Sequence, residues 1–284
     1  MSPRISLDSP SIPDTRHAKP SAVRAKFGRH IFALGIMAIG LTGLVWGNFI
    51  TGQTVPNDFP HRTALAYIAA SFLVFAGILL QWRRSASVGA AALATYYIFI
   101  VLLLMNGPLL LSHYGEYGTY EGLSQQCAIA AVALLIFARF TSITATLEAR
   151  LTLIAQFVFG LCALIWGGAH FVYMDLTAPL VPQWLPPSQV FWGYLTGLAF
   201  VAAGLSIMLR SQARLAAILL TAMLASFTLL VHVRILFTNH KIPFNWTELA
   251  INFTLLGAAW IVADSFANSN PQAGLVYVRK RLER

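Results

Sequence analysis

The sequence predicts an all-α polytopic membrane protein, with eight transmembrane helices arranged as two four-helix bundles that form a parallel repeat. Three observations lead to this prediction. Apolar residues make up 57% of the 284 positions and charged residues only 10%, which leaves a water-soluble domain short of polar surface. Eight apolar runs are long enough to cross about 30 Å of hydrocarbon. Part of the second half also repeats part of the first half without a gap.

The chain opens with a polar arm, residues 1–28, in which four prolines stand among Ser, Arg and Lys. This composition does not bury surface, so we expect the arm to be disordered. Eight spans follow, at about residues 30–50, 64–82, 86–111, 122–141, 150–172, 189–209, 213–237 and 247–267. They form a first repeat at 29–142 and a second at 149–268, and a basic cytoplasmic tail occupies 269–284.

The distribution of basic residues predicts that both termini lie in the cytoplasm. With the N-terminus inside, sixteen of the 19 Lys and Arg residues are cytoplasmic, and only Arg62, Arg234 and Lys241 lie outside. Such a bias in short loops follows the positive-inside rule. The net charge of +9 therefore favours the lipid bilayer, and not nucleic acid, as the partner of this chain.

The internal repeat aligns residues 67–113 with residues 194–240, and twelve of these 47 positions are identical. The alignment matches span with span and loop with loop. We place Trp46-Gly47 and Trp166-Gly167 at equivalent positions in the preceding span of each half. Because each half has an even number of spans, both halves enter the membrane from the same side.

Polar residues near span ends gather at the predicted outer face of the second half. His170 lies twenty residues beyond Arg150, and His232 lies eighteen beyond Arg214. At a rise of 1.5 Å per residue, the two imidazoles are within about 3 Å of one depth. Trp166 shares a helix face with His170. The candidate ligand-binding residues are His170, His232, Trp166, Arg234 and Glu248.

The sequence leaves several interpretations of this cluster open. The histidines can be ordinary amphipathic rings at the headgroup boundary, which is the plainest reading, or they can hydrogen-bond a quinone or a head group. Ligation of haem or a metal is the least favoured. Arg234 can pair with Glu248 or with a lipid phosphate. The alignment places Ile50 and Met105 opposite the two histidines, so the predicted site belongs to the second half alone.

One stretch of the second half carries a family resemblance. Residues 167–209, "GGAHFVYMDLTAPLVPQWLPPSQVFWGYLTGLAFVAAGLSIML", contain a span that ends in glycines and His170, a Pro-rich outer loop, and a span that opens on Tyr-Leu-Thr-Gly. This pattern resembles the DoxX-like family of bacterial four-span membrane proteins, here in tandem. The resemblance implies the cytoplasmic (inner) membrane of a bacterium and a link to quinone or thiol redox complexes.

Two functions are consistent with these features. The first is a membrane subunit or assembly partner of a quinone- or thiol-linked redox complex, with other membrane redox subunits as partners and a quinone as the cofactor. The alternative is a binding or transport module for a small apolar or amphipathic molecule. A structural membrane protein without a ligand is also compatible with the residues. No catalytic motif in the sequence decides whether the protein is an enzyme.

Overall fold

The computed structural model describes residues 20–267; the predicted tail and most of the predicted N-terminal arm lie outside the described residues. Eight helices are long and apolar enough to cross a membrane, which confirms the predicted spans and makes this chain a multi-pass membrane protein. The helices are α1 (Pro20–Trp46), α2 (Arg62–Gln81), α3 (Ala86–Ser112), α4 (Tyr117–Phe140), α5 (Ala145–Val172), α6 (Gln189–Met208), α7 (Ala213–Asn239) and α8 (Pro243–Ala267).

Several helices extend beyond the predicted spans at their polar ends. Helix α1 begins at Pro20, so the last nine residues of the predicted arm are helical; proline is well suited to the first turn of a helix. Helix α4 begins at Tyr117 instead of 122, and α8 begins at Pro243 instead of 247. An apolar run ends at the first polar residues, whereas a helix continues while its backbone hydrogen bonds are made. Glu121 and Glu248 therefore both lie inside helices.

The helices form a ring in chain order. Each helix packs against the next, α8 packs against α1, and α4 also packs against α8 across the middle of the ring. The described chain begins and ends on the same side of this bundle. We call the opposite side, where α1 ends and α2 begins, the distal end; there Trp46 lies 6.5 Å from Trp246 between ring centroids.

Glycines bring the backbones of α5 and α6 together. A methyl group added at Gly204 would lie 2.6 Å from the carbonyl oxygen of Gly160, and one added at Gly167 would lie 2.8 Å from the carbonyl oxygen of Gly197. Lipid offers no hydrophobic force between helices, so small residues that permit close packing hold them together. This seam fixes the two helices that carry Trp166 and His170 on one side and Phe200 on the other.

Two spans contain wide π-helical segments, Tyr96–Met105 in α3 and Thr228–Val233 in α7. The sequence predicted uninterrupted spans and gave no signal for these segments. A π-helical turn shifts the side chains that follow it around the helix axis, and such turns are frequent at functional sites. His232 lies within the second segment.

The distal ends of α4 and α5 are joined by two tyrosines. The hydroxyl of Tyr173 accepts a hydrogen bond from the Gly118 N–H at 2.8 Å, and the Tyr117 hydroxyl donates to the carbonyl of Ile165 at 2.8 Å. The first N–H groups of a helix have no partner within it, and the N-cap residue Glu116 supplies none from its side chain. A residue of α5 therefore caps α4 and fixes its first turn.

The glycine seam yields a stability prediction. Gly204→Ala forces the added methyl against the Gly160 carbonyl, and we expect a loss of about 1–3 kcal/mol in the free energy of unfolding. Thermal unfolding of the purified protein in one detergent measures the change. Gly122→Ala is the matched control, because a methyl group there meets no atom within 4 Å. An equal loss in both variants would show that the seam is not close-packed.

Candidate ligand-binding site

A cavity of about 650 Å³ lies among α4, α5, α6, α7 and α8 and is lined mostly by apolar side chains. Its volume is in the range of small-molecule sites, which commonly combine apolar walls with a few polar groups. The polar and ionisable lining side chains come from five helices and their connections. They include Glu121, Gln125, Trp166, His170, Tyr173, His232, Glu248 and Asn252.

Four of the five predicted site residues meet at this cavity: His170, His232, Trp166 and Glu248 line it. The fifth, Arg234, does not line it and is exposed. Arg234 follows His232 by two positions, which turns its side chain to another face of the helix. Of the two partners considered for Arg234, Glu248 makes no ion pair with it within residues 20–267.

Aromatic rings form one wall of the cavity. Trp166 packs edge-on against Phe200, with ring centroids 5.8 Å apart, and His170 lies 5.2 Å from Phe200 and 6.3 Å from Phe227. Offset and edge-on contacts of this kind stabilise aromatic pairs by about 0.5–1.5 kcal/mol. We call these four residues, Trp166, His170, Phe200 and Phe227, the aromatic wall.

Two groups of the aromatic wall have unused hydrogen-bonding capacity. The Nδ1 atom of His170 lies 2.8 Å from the carbonyl oxygen of Trp166. Because a carbonyl only accepts, Nδ1 carries the hydrogen in the neutral ring and Nε2 remains an acceptor. The indole N–H of Trp166, a side chain only 5% exposed, has no acceptor among the described residues. Buried donors are nearly always paired, and this donor, enclosed by protein atoms, is an exception.

Helix α4 contributes two site residues that the sequence prediction did not select. Glu121 and Gln125 line the cavity, and the Gln125 amide donates to a Glu121 carboxylate oxygen at 2.7 Å. Glu121 lies close enough to Glu248 of α8 for the two carboxyl groups to interact electrostatically. Among the described residues Glu248 has no hydrogen-bond partner of its own.

A sequence signal for these two residues exists. If the ungapped alignment is continued eight positions beyond the pair His113 and His240, Glu121 falls opposite Glu248. Apolar residues of two spans often match by chance, whereas ionisable residues are rare in spans, so a matching glutamate in the first turns of both final spans is informative. This pair lies just beyond the aligned segments, which end at His113 and His240.

The Pro-rich connection between α5 and α6 forms part of the lining. Residues Thr177, Leu180 and Leu185 of this connection, the Pro-rich outer loop of the sequence, line the cavity. The Trp192 indole N–H donates to the Pro186 carbonyl at 2.8 Å. This bond ties the connection to the first turn of α6.

The donor set suits an organic ligand. Across residues 20–267 no group of three or more His, Cys, Asp or Glu side chains is arranged to hold a metal ion. Cys127 and Cys162 are free thiols, partly and fully buried within α4 and α5. The site is thus defined by its apolar volume, its aromatic wall and its two carboxyl groups.

These features define a multi-pass helical membrane protein whose mostly apolar cavity, with a few polar side chains, lies near its distal end. Comparison with protein families gives one match: a model described as a domain of unknown function, DUF8561, covers residues 159–263. The matched segment includes Trp166, His170, His232 and Glu248, and excludes Glu121. No curated protein and no solved structure matches the chain.

The contact between Asn252 and the π-helical segment of α7 can be tested. The Asn252 amide donates to the Leu224 carbonyl at 3.1 Å and to the Thr228 hydroxyl at 2.7 Å. We expect Asn252→Ala to lower the free energy of unfolding by about 1–2 kcal/mol, because both bonds join buried groups in lipid. Hydrogen–deuterium exchange should accelerate selectively in residues 224–233.

Asn245→Ala provides the control on the same helix. Its amide donates to the Asn239 carbonyl at 2.9 Å at an exposed position, where water can replace the lost bond. Unchanged exchange in residues 224–233 of the Asn252→Ala variant would mean that Asn252 does not brace the π-helical segment.

Proposed function

We propose that this protein binds a small amphipathic molecule in the cavity of its second half, as a binding or transport module of the membrane. The observation that carries the proposal is the cavity itself, which joins apolar walls to four ionisable side chains. Side chains at a lipid-exposed surface need no such grouping, because each can reach the headgroup region alone. A molecule with an apolar body and a polar end fits both parts of the lining.

The lining also indicates how such a molecule reaches the site. Leu195 of α6 and Leu230 of α7 line the cavity while 41% and 37% of their surfaces are exposed. Side chains that face both the cavity and the outside of the bundle favour a lateral opening between these two helices. A ligand dissolved in the bilayer would enter there without crossing the aqueous phase.

We further propose that the two halves are a parallel repeat of one four-helix unit. Helix contacts support this. In this relation α1 to α4 correspond to α5 to α8, and α5 corresponds to α1 because the ring closes. The contacts α1–α2, α2–α3, α3–α4 and α4–α5 then correspond to α5–α6, α6–α7, α7–α8 and α8–α1, and all of these pairs are in contact. The central α4–α8 pair maps onto itself, as expected for an approximate twofold axis along the membrane normal.

Backbone packing supports the same relation at residue level. A methyl group at Gly40 would approach the Ala70 carbonyl, at 2.6 Å, and Val74, just as one at Gly167 would approach the Gly197 carbonyl and Val201. Corresponding residues here are 127 positions apart, the offset that aligns residue 67 with residue 194. The π-helical segments of α3 and α7 also overlap at this offset.

This constant offset revises two equivalences drawn from the sequence. It pairs His170 with Gly43 instead of Ile50, and Trp166 with Ile39 instead of Trp46. Packing is consistent with the revision, because a methyl group at Gly43 would lie 2.9 Å from the Ala70 side chain, and one at Gly197 would lie 2.9 Å from the Cβ of His170. In this proposal a glycine in the first half corresponds to the imidazole of the second.

Membrane location and orientation complete the proposal. With a bacterial cytoplasmic membrane, as the resemblance to the DoxX-like family implies, the distal end faces outward and both termini face the cytoplasm. The sixteen-to-three distribution of Lys and Arg supports this orientation. The cavity then opens near the outer headgroup level.

A second candidate function is a subunit or assembly partner of a quinone- or thiol-linked redox complex. It is supported by the family resemblance and by the aromatic wall of the cavity, against which a quinone ring can stack. Solvent extraction of the protein purified in a mild detergent, followed by mass spectrometry, separates the candidates: a stoichiometric quinone and a co-purifying redox protein favour the second.

Filling the cavity should remove ligand binding. Ala199 of α6 lines the cavity, and Ala199→Trp introduces a large ring into its volume. We expect small molecules that co-purify with the parent protein to fall by about tenfold or more, since an occupied pocket cannot bury a second apolar body. Mass spectrometry of extracts from protein in lipid nanodiscs measures this loss.

Ala202→Trp is the matched control, because Ala202 is exposed on the same helix and does not line the cavity. It should retain the parent protein's ligand content. If both variants keep that content, the co-purifying molecules are bound elsewhere, and the proposed function fails.

The orientation makes a separate prediction. Asn57 lies in the exposed α1–α2 connection at the distal end, and Ser211 lies in the exposed α6–α7 connection at the opposite end. A membrane-impermeant maleimide added to intact cells should label Asn57→Cys, and it should label Ser211→Cys only after permeabilisation. The parent chain, with both cysteines inside helices, gives the background. The reverse labelling pattern would invert the proposed orientation.

A further inference from the structure

We infer that the cavity selects a positively charged amphipathic molecule, an organic ammonium with an apolar body, whose cationic group lies between Glu121 and Glu248. The inference rests on the proposed function, since it names the ligand class of the same cavity. It goes beyond that function because neutral amphipathic molecules and quinones are excluded as the preferred ligands.

The first argument is the charge of the lining. Two carboxylates line the cavity, and among the described residues no Lys or Arg lines it. Arg234, the basic residue two positions after the lining residue His232, is exposed and makes no ion pair with Glu248. A carboxylate in apolar surroundings is costly unless a cation or several hydrogen bonds compensate it. Here the described residues supply one amide, from Gln125 to Glu121, and a cationic ligand would compensate the remaining charge.

The second argument is the convergence of the two carboxyl groups. Glu121 and Glu248 belong to α4 and α8, which pack against each other at the centre of the bundle, and both side chains line the same cavity. Like charges at close range repel each other, and a cation placed between them replaces that repulsion with two attractions. A neutral ligand offers no such gain.

The third argument is the aromatic wall. Trp166, Phe200 and Phe227 line the same cavity, and the faces of such rings attract ammonium groups.

The corresponding region of the first half provides an internal comparison. A second cavity, of about 450 Å³, is lined by thirteen residues, and ten of them precede lining residues of the first cavity by 127 positions. The equivalent lining pairs are Thr54 and Val181, Val55 and Pro182, Leu65 and Trp192, Ile68 and Leu195, Ala69 and Thr196, Phe72 and Ala199, Tyr96 and Met223, Ile100 and Phe227, Leu104 and Val231, and Met105 and His232. This smaller cavity has no carboxylate or imidazole in its lining. A neutral apolar molecule needs only an apolar lining, which the second cavity has. The carboxylates of the first cavity therefore favour a ligand of a different class, one with a positive charge.

The test compares two probes of the same shape that differ in charge. Benzyltrimethylammonium is a cation, and neopentylbenzene is its neutral isostere. Equilibrium binding of each tritiated probe is measured on the full-length protein in phosphatidylcholine nanodiscs, with empty nanodiscs as the blank. Duroquinone serves as a third, neutral probe. We expect the protein to bind the cation about tenfold or more tightly than either neutral probe.

The carboxylates are tested by the double variant Glu121→Gln, Glu248→Gln. We expect it to bind benzyltrimethylammonium about tenfold or more weakly, with the affinity for neopentylbenzene unchanged. Glu116→Gln removes a negative charge at the same end of α4, outside the cavity, and should leave both affinities unchanged. Should the double variant fail to fold, the single variant Glu248→Gln and the probe comparison on the parent protein still decide the inference.

The outcomes separate this inference from the proposed function. If a neutral probe binds as tightly as the cation or tighter, and Ala199→Trp blocks that binding, the cavity is a binding site but the inference of a cationic ligand is wrong. If no probe binds saturably to the parent protein and Ala199→Trp changes nothing, both are overturned. Equal cation affinity in the parent and in the folded double variant also refutes the role of the carboxylates.

Discussion

The close backbone contact between α5 and α6 is the constraint on which the second half depends. Lipid gives one apolar helix no hydrophobic reason to bind another, so contact surfaces must fit closely. Gly160 and Gly167 meet Gly204 and Gly197 across this seam. One turn beyond Gly167, the Cβ of His170 lies over Gly197, and its ring contacts Phe200 and Phe227. The seam therefore fixes the position of the His170 imidazole in the cavity lining.

The central pair of helices adds the charged part of the site. Glu121 and Glu248 lie in the first two turns of α4 and α8, where they share the depth of the two histidines and stay close to the distal end. Ionisable side chains in the membrane are costly unless they face a cavity or each other. Both conditions are met here, so a fold of almost uniformly apolar helices can carry one polar site.

The two halves use equivalent regions differently. In the first half the connection after α1 folds into the bundle: Gln53 is 5% exposed and donates to the Tyr96 hydroxyl at 3.0 Å, and Asn106 donates to the Gly52 carbonyl at 2.8 Å. These hydrogen bonds are made within the protein. In the second half the corresponding space is part of the cavity, which Glu121 and Gln125 of α4, in the first half, also line.

The sequence by itself determined the eight helices, because the length and apolarity of each run are local properties. It also selected four residues that line the cavity, since polar groups near span ends are few and stand out against an apolar background. It did not determine that Arg234 points elsewhere, that α7 widens at Thr228–Val233, or that Glu121 meets Glu248. An apolar helix presents similar residues on every side, so only packing decides which face turns inward. Helix packing in the tertiary structure therefore determines which side chains line the cavity.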